Sequence, residues 1–463
     1  MVSSRSLPEL AHLVQSRTNT LYDLFNRAEL PQPSFGRKAP KQPSRLPNAI
    51  EDTRAELLES LDELKALVLG PSSHVFFLTF LGPTFAATLH VLYKYRIAQN
   101  VPLDSAVSFK ELAGRCGLTE SNTKRYVRAA VSIRIFEEFP EGFVRHNAAS
   151  AELATTILDD WTGFATEDLA PCAPKVVEAL QKHPEASDPT KTPFAIAHGG
   201  EVTQDTFAIL SKDTGRIERL SKAMSFAFSV PEMQQSHFVD NVPWSSNEAD
   251  ATCPRLVIDV GGSEGVLCEA LLRKYPGINK AIVQDLPEVV APFQEKVPVD
   301  LTGRIEYQGY SFFTEQTVTA DVYTFRSVFH DWGDDHALQI LRNQIPALRP
   351  GARILINERC LGIPGPRNHV ISQFAMASDI MMQLAGNAKE RSAADWTALL
   401  AEADTRFQIK SIVTPPHSAL SIIEVVWEED AKDAATLVKE TPAQEVVNEP
   451  VSMTPNAIHE VSI

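Results

Sequence analysis

The sequence predicts an α/β fold, with a parallel sheet covered by helices that follows a mainly helical N-terminal region. From Pro254 on, apolar runs such as RLVIDV, AIVQD, RIEYQ, DVYTFRSVF and RILINE recur, and helical stretches separate most of them. This alternation is typical of a parallel sheet with helices on both faces. Ligands of such sheets bind beyond the carboxyl ends of the strands, so we expect the site there.

Residues 1–70 are predicted to be a helical arm and linker that extend a domain. Residues 1–30 and 50–69 have apolar residues at helical spacing. Between them, PQPSFGRKAPKQPSRLP is Pro-rich and basic, which is typical of a linker or of an arm lying on another surface.

The segment 66–93 has no acidic or basic residue except histidine and is long enough to cross a bilayer. Gly82-Pro83 in its middle favours two short helices over one span. Two helices that are apolar nearly all round would be buried, either inside the protein or at a subunit interface. We therefore expect a homodimer and no membrane contact, with membrane contact as the alternative.

Residues 71–240 are predicted to form a winged-helix domain. The stretch 108–147 contains a helix, a glycine turn, a Ser/Thr-capped second helix and two strand-like pieces. Lys124, Arg125 and Arg128 on the second helix would suit DNA, but they also suit an ordinary solvated face. The net charge of −16 opposes nucleic acid, so a small-molecule partner is expected.

Composition indicates a cytoplasmic protein without a structural metal. The five cysteines are scattered, and no histidines lie at metal-ligand spacing, so reduced thiols are expected. The N-terminus lacks the order of a signal peptide. Residues 429–463 are acidic, have no sustained apolar periodicity and are predicted to be a disordered tail.

A cofactor loop is predicted where the strand LVIDV enters GGSEG (261–265) and then a helix. Glycines at this junction let the backbone approach a ligand at the positive end of a helix. Ser263 breaks the dinucleotide fingerprint. Asp285 ends the next strand, where a carboxylate can accept ribose hydroxyls; capping the following helix is the alternative. The pattern suits a nucleoside without pyrophosphate, such as S-adenosyl-L-methionine.

Five motifs in order carry a resemblance to a known family. They are LHVLYKYRIAQNVP with the winged helix, VIDVGGSEG followed by VQDLPEVV, SFFTEQTVTADVYTFRSVFHDW, NQIPALRPGARILINERCL and GNAKERSAADW. Over roughly residues 75–428 the chain resembles the dimeric caffeate-type O-methyltransferases, and more closely their fungal secondary-metabolite branch. The resemblance implies a class I methyltransferase sheet (241–428) that binds S-adenosylmethionine and carries a helical dimerisation domain.

The resemblance also implies cofactor contacts. Gly261 and Gly262 would lie against the methionine portion, and Asp285 would hold the ribose. Ser311 and Phe312 would bracket the adenine, and Arg326 would lie near the polar end of the cofactor. The family usually has an acid at the position of Ser311, so the contact with the adenine should be weaker here.

Methyl transfer to a phenol is helped by a base with a pKa near neutrality. The resemblance places His330 of FRSVFHDW in that role, with Glu358 and Glu390 as the carboxylates that orient it. Asp331 adjoins the base and would alternatively cap the next helix. By its local sequence alone, Glu390 would suit a surface residue paired with Lys389 or Arg391.

Met224 and Met381 match positions that sandwich a flat aromatic substrate in the family, although methionines at helical spacing also suit a simple core. Ala385 replaces an amide that binds the phenylpropanoid ring, which argues against a lignin-type substrate. The leading hypothesis is an O-methyltransferase acting on a phenolic or enolic, polyketide-like metabolite. A pericyclase or cyclase of the same fold is the main rival, and a winged-helix regulator is a third reading.

Overall fold

We describe a computed structural model of the chain, which covers residues 5–40, 43, 45–185, 187–199, 204–245, 252–362 and 369–428. The predicted tail, 429–463, lies outside this range. The α-helices are α1 Leu7–Arg27, α2 Asn48–Leu69, α3 Pro71–Lys94, α4 Ile97–Asn100, α5 Phe109–Cys116, α6 Glu120–Ser132, α7 Ala148–Thr155, α8 Leu158–Gly163, α9 Val176–Lys182, α10 Pro193–His198, α11 Thr206–Leu210, α12 Thr214–Ser229, α13 Ser236–Val239, α14 Val266–Lys274, α15 Pro287–Gln294, α16 Asp334–Gln344, α17 His369–Gly386 and α18 Ala393–Ala403.

The strands are β1 Val107–Ser108, β2 Glu137–Glu138, β3 Phe143–Arg145, β4 Leu256–Val260, β5 Lys280–Asp285, β6 Ile305–Gly309, β7 Val322–Arg326, β8 Arg353–Glu358, β9 Cys360–Leu361, β10 Arg391–Ser392, β11 Phe407–Val413 and β12 Ser421–Trp427. A π-helical turn spans Phe164–Leu169, and 3-10 turns span Ala170–Lys175, Pro231–Met233, Val299–Leu301, Phe329–Asp331 and Ile345–Ala347.

The C-terminal half forms a seven-stranded sheet of order β11-β12-β8-β7-β4-β5-β6. The five strands β4 to β8 pair in parallel, and β12 runs antiparallel to both β8 and β11. Alternate side chains enter opposite cores: Ile258 and Phe325 pack with α16 and α18, whereas Val257 and Val283 pack with α14. The predicted parallel sheet with helices on both faces is confirmed.

The strand order positions the site. From β4 the chain adds β5 and β6 on one side and then crosses to β7 and β8 on the other. Ligands of open α/β sheets bind at such a reversal, beyond the carboxyl ends of the strands. The residues that follow β4, β5, β7 and β8 therefore face one crevice.

The winged-helix outline is also present. Its helices are α5 and α6, and β1, β3 and β2 form a small antiparallel sheet. The basic side chains of α6 are engaged within the domain. Lys124 pairs with Glu120, and Arg128 makes two hydrogen bonds to Glu138. These contacts fit the solvated-face reading of α6.

The prediction that Gly82-Pro83 divides the segment 66–93 into two short helices was wrong. The segment from Pro71 is one continuous helix, α3, with Pro83 inside it. Proline removes only one N–H donor, and the Thr84 hydroxyl donates to the carbonyl of Leu81 at 2.8 Å next to the gap. The helix is also mostly exposed, with only 11% of its most apolar window buried, so it is not a core element of the single chain. It is long and apolar enough to cross a membrane, by length and composition only.

The N-terminal arm anchors a helix of the sheet domain. Helices α1 and α2 pack on each other, and the Glu59 carboxylate of α2 accepts the N–H groups of His369 and Val370 at 2.9 and 3.1 Å. A carboxylate at this end of α17 stabilises the positive end of the helix dipole. Because α17 carries Ser378, Asp379 and Met381, the arm helps to fix one wall of the crevice.

Candidate active site

The loop after β4 is shaped for close approach to a ligand. Gly261 has a φ of +75°, and a side chain at Gly262 would start 2.7 Å from an Asp259 carboxylate oxygen. Gly265 also has positive φ and immediately precedes α14. The sequence therefore places backbone, without side chains, between the sheet and the crevice.

Asp285 ends β5 beside this loop. Its carboxylate accepts the N–H of Ser263 at 2.9 Å and the N–H of Leu286 at 2.8 Å. Helix α15 has no side-chain cap among the described residues, so Asp285 does not cap that helix. Instead it links the tips of β4 and β5, and a carboxylate has further lone pairs for other donors.

Ser311 and Phe312 follow β6. The carbonyl of Ser311 accepts from Thr314, which closes a tight turn, and its hydroxyl accepts only weakly, from the N–H of Phe313 at 3.4 Å. The ring of Phe312 lies about 4.0 Å from where a side chain on Gly261 would begin. The two predicted adenine contacts therefore share the crevice with the glycine loop.

Arg326 ends β7, and its guanidinium is largely buried. It donates to the carbonyl of Met233 and stacks over Phe228 at 5.1 Å, yet its buried Nε has no hydrogen-bond partner among the described residues. The hydroxyl of the next residue, Ser327, is buried without a partner in the same range, and its φ is +53°. Two unsatisfied donors at one strand end suit a polar ligand. Sequence reasoning missed Ser327, which carries no local signal.

His330 lies in the 3-10 turn between β7 and α16. Its Nδ1 is 3.3 Å from Oε1 of Glu390, and its Nε2 is 3.8 Å from Oδ1 of Asp331. The N–H groups of Val328 and Phe329 both donate to Oε1 of Glu358 at 2.7 Å. Glu358 at the end of β8 therefore fixes the backbone that presents the imidazole.

Glu390 is a buried partner of His330, and the surface alternative is wrong. Its side chain is 1% exposed, and Oε1 also accepts from the Ser378 hydroxyl at 2.6 Å. Lys389 and Arg391 pair with Asp334 instead.

The charges around His330 change its protonation. Burial alone would lower the pKa of His330, but the negative charges of Glu358, Asp331 and Glu390 raise it to about 10. Burial raises the pKa of Glu358. Burial would also raise the pKa of Glu390, but the hydrogen bond and charge of His330 bring it below its ordinary value. Burial also raises the pKa of Asp331. The site thus favours a proton on His330, beside the Glu390 carboxylate.

Asp331 does not cap α16, whose N-cap is Gly333. One donor atom from each of His330, Glu358 and Glu390 lies within 4.8 Å of the others, a spacing that could hold a metal ion. However, Nε of Arg359 lies 3.7 Å from Oε1 of Glu390. A permanent cation next to a ligand oxygen opposes a second one. The expectation of no metal stays a prediction.

The substrate side is apolar. Met224 and Met381 pack against one buried cluster that includes Phe164 and Ala223. This clustering brings the two predicted sandwich positions together, and it also fits a simple core. On the Asp331 side, a small cavity of about 50 Å³ is lined in part by Ala385, where the wall presents a methyl group.

Asp259 is a second residue that sequence reasoning passed over. It lies within β4, is 3% exposed and accepts a hydrogen bond from Thr324 at 2.7 Å. Burial raises its pKa to about 6, against the effect of that hydrogen bond. An acid inside the apolar strand LVIDV was the signal that could have singled it out, since buried acids need a reason.

Comparison with solved structures defines the class of protein. A structure described as the LepI complex with SAM aligns with a TM-score of 0.67 at 23% identity, over 90% of this chain and all of that one. One described as a pericyclic reaction enzyme aligns with the same TM-score at 22% identity, with the same coverage of both chains. The two alignments agree with the glycine loop after β4 and the acid that ends β5. Together they define a class I S-adenosylmethionine-dependent methyltransferase fold.

Sequence comparison narrows the class to a family. The family model for the O-methyltransferase domain matches residues 247–406. The O-methyltransferase kk1A of Curvularia clavata is 35% identical, over 91% of this chain and 97% of its own length. The chlorophenol O-methyltransferase of Trichoderma longibrachiatum is 34% identical, over 91% and 90% respectively. The chain belongs to the O-methyltransferase family, and its cofactor is S-adenosylmethionine.

Proposed function

We propose that the protein transfers a methyl group from S-adenosylmethionine to a hydroxyl of a phenolic or enolic, polyketide-like metabolite, with His330 as the general base. The observation that carries this proposal is the buried set of His330, Glu358 and Glu390 at the carboxyl edge of the sheet. Nδ1 of His330 faces Glu390, which leaves Nε2 for an acceptor hydroxyl. The phenolic substrate class is inferred from the similarity to the chlorophenol O-methyltransferase of Trichoderma longibrachiatum.

In this proposal, each part of the cofactor is contacted by a residue predicted from the sequence. Gly261 and Gly262 would lie against the methionine portion, and Asp285 would accept the ribose hydroxyls. The Nε of Arg326, which has no hydrogen-bond partner among the described residues, would donate to the polar end. Ser311 and Phe312 would border the adenine. When bound, S-adenosylmethionine supplies an electrophilic methyl group on a cationic sulfur.

The protonation of His330 must fit its role. With a pKa of about 10, the imidazole holds a proton at neutral pH and is an acid. The positive charge of a bound cofactor would disfavour the imidazolium, so His330 would lose its proton more readily. A bound phenol then gives its proton to Nε2 as its oxygen becomes the nucleophile. Met224 and Met381 would hold the ring.

The test incubates the full chain with methyl-labelled cofactor and either a panel of simple phenols or crude metabolite extract. Label in a small-molecule product is expected for the native protein, and its rate should fall about 10²- to 10⁴-fold in His330→Ala. Calorimetric titration should give unchanged cofactor binding in that variant. His183→Ala, outside the crevice, is the matched control. Full transfer activity in His330→Ala would refute the base assignment.

A second function, a pericyclase or cyclase without methyl transfer, is favoured by one observation. The carboxylates hold His330 protonated, and an imidazolium donates a hydrogen bond that can polarise a carbonyl. An unlabelled product that is an isomer or a dehydration product of its precursor would support this function over transfer.

We also propose that the protein is a cytoplasmic homodimer. Exposed apolar side chains on α3 include Val75, Phe76, Leu78 and Phe80, with 57–62% of each accessible. A patch of this kind on one helix is typical of an interface. Light scattering should give twice the chain mass of 51.0 kDa. Phe76→Glu with Phe80→Glu should give monomers, whereas an unchanged mass would contradict the assignment of α3.

A further inference from the structure

Arg359 is a charged residue of the site to which no role has been given. It directly follows Glu358, and its side chain is 16% exposed. Its Nε is buried, lies 3.7 Å from Oε1 of Glu390 and has no hydrogen-bond partner within the described ranges. It is therefore a mostly buried cation aimed at the carboxylate that orients His330.

The backbone holds this contact in place. Strand β9 pairs in parallel with β10, with Cys360 opposite Arg391. Arg359 and Glu390 are the residues immediately before this pair, so the small sheet sets them side by side. The distance between them is thus a property of strand register, not only of two flexible side chains.

Oε1 of Glu390 has three neighbours of different kinds. They are Nδ1 of His330 at 3.3 Å, the Ser378 hydroxyl at 2.6 Å and the Arg359 guanidinium. Asp379 accepts the backbone N–H of Glu390 at 2.9 Å. A carboxylate shared between two cations attracts each of them less than it would attract one alone.

The other charges that face His330 are carboxylates. Asp331 lies on its own turn, Glu358 comes from β8, and Glu390 precedes β10. The guanidinium of Arg326 acts on Glu358 from the cofactor side. Among the described residues, Arg359 is the permanent cation within 4 Å of the Glu390 carboxylate, so it limits how strongly that carboxylate holds the imidazole proton.

We propose that Arg359 is a positioning residue that shares Glu390 with His330, so that the imidazole can give up its proton within the working range of the enzyme. Its kinetic consequence rests on the proposed methyl transfer. The effect on the imidazole itself does not, because it needs only the folded chain with its cofactor.

The first test follows the histidine ring signals by NMR from pH 6 to about pH 11, so that an upward shift from a pKa of about 10 stays within the range. It uses the full chain saturated with S-adenosylmethionine and without acceptor, and His330→Gln assigns the signal. In Arg359→Gln the His330 titration should move upward by at least about half a pH unit. Arg359→Lys should restore it, and Lys389→Gln, which removes an exposed cation next to Glu390 in sequence, should leave it unchanged.

A titration that stays in place or moves downward in Arg359→Gln overturns the proposal. If Arg359→Gln does not fold, the same His330 titration is measured in Arg359→Met, a second neutral variant, and the same outcomes apply. If methyl transfer is found, the acid limb of kcat against pH should move upward with the NMR titration, while the alkaline plateau keeps its height. A lowered plateau with an unmoved limb would mean a merely structural role. Failure of transfer alone leaves the NMR result standing.

Discussion

Two buried acids in this molecule have opposite surroundings. Asp168, in the π-helical turn, has a side chain that is 1% exposed and pairs with Arg216 and Arg219 from α12 at 2.8 and 2.7 Å. Glu390 is equally buried, but its cationic neighbours are His330, which can lose its charge, and Arg359 at 3.7 Å.

The difference separates a structural from a reactive cluster. Around Asp168 two permanent guanidinium groups balance the carboxylates, because Glu167 pairs with Arg219 and Lys94 as well. Around His330 three carboxylates exceed the permanent positive charge, and a proton on the imidazole makes up the deficit. Because a proton on His330 supplies the missing positive charge and can be removed, this cluster can take up and release a proton. The cluster around Asp168 is balanced by permanent charges and cannot.

A large loss of stability is expected at the balanced cluster when its shared anion is removed. Asp168→Asn leaves two mostly buried guanidinium groups without their shared anion and should lower the free energy of unfolding by about 3 kcal/mol. Urea unfolding followed by circular dichroism measures it. Glu218→Gln breaks an exposed pair on the same helix and should cost far less, because solvent screens that pair. If both variants lost the same free energy of unfolding, the buried Asp168 cluster would be no more important for stability than an exposed pair.

At the reactive cluster, activity should respond more than stability. Glu358→Gln keeps an acceptor for the N–H groups of Val328 and Phe329 but removes one negative charge near His330, so the pKa of His330 should fall. We expect kcat/KM to drop about 10²-fold, because the charge that stabilises the imidazolium during proton transfer is lost. The pH dependence of kcat/KM measures both effects. An unchanged profile would show that Glu358 acts only on the backbone.

A further effect should appear in the dependence of stability on pH. The folded pKa of His330, about 10, lies above its unfolded value of 6.5. The stabilisation it gives is therefore fully present below pH 6.5 and is lost as pH rises through 10. The difference in unfolding free energy between the native chain and His330→Gln should be largest near pH 6 and shrink toward pH 10. A pH-independent difference would contradict the raised pKa; His12→Gln on exposed α1 is the control.

The smallest effect is expected at the rim of the site. Lys389→Gln removes an exposed partner of Asp334, which Arg391 still holds through two hydrogen bonds. We expect less than about 0.5 kcal/mol in thermal unfolding and no change in the pH profile. A measurable shift of the pH profile would mean that exposed charges also change the pKa of His330. The pKa of His330 would then not depend on the buried charges alone.

The sequence was sufficient for the sheet domain and for the order of its motifs. Each apolar run that predicts a strand is followed directly by an acid, and this local pattern placed Asp285 and Glu358 at the ends of β5 and β8. The inward turn of Glu390 was not local: Lys389 and Arg391 next to it suggested a surface pair, and Asp334 from α16 captures both cations instead. The assigned cofactor and catalytic roles stay predictions.

Helix α3 and Arg359 show what the sequence could not supply. The Gly82-Pro83 pair suggested a break, but one missing N–H does not end a helix of 24 residues. Whether α3 is exposed depends on which other elements pack against it, and the local sequence does not show this. Arg359 depends on the pairing of β9 with β10, two short strands far apart in the chain.

Glu59 has a practical consequence for anyone who shortens the chain. The family model begins at residue 247, so a fragment cut to that match would contain the whole matched domain without the arm. It would lack the carboxylate that holds the first N–H groups of α17, the helix whose Ser378 hydroxyl in turn supports Glu390. Truncated proteins of this type should be tested for cofactor and acceptor binding before their inactivity is assigned to the wrong substrate.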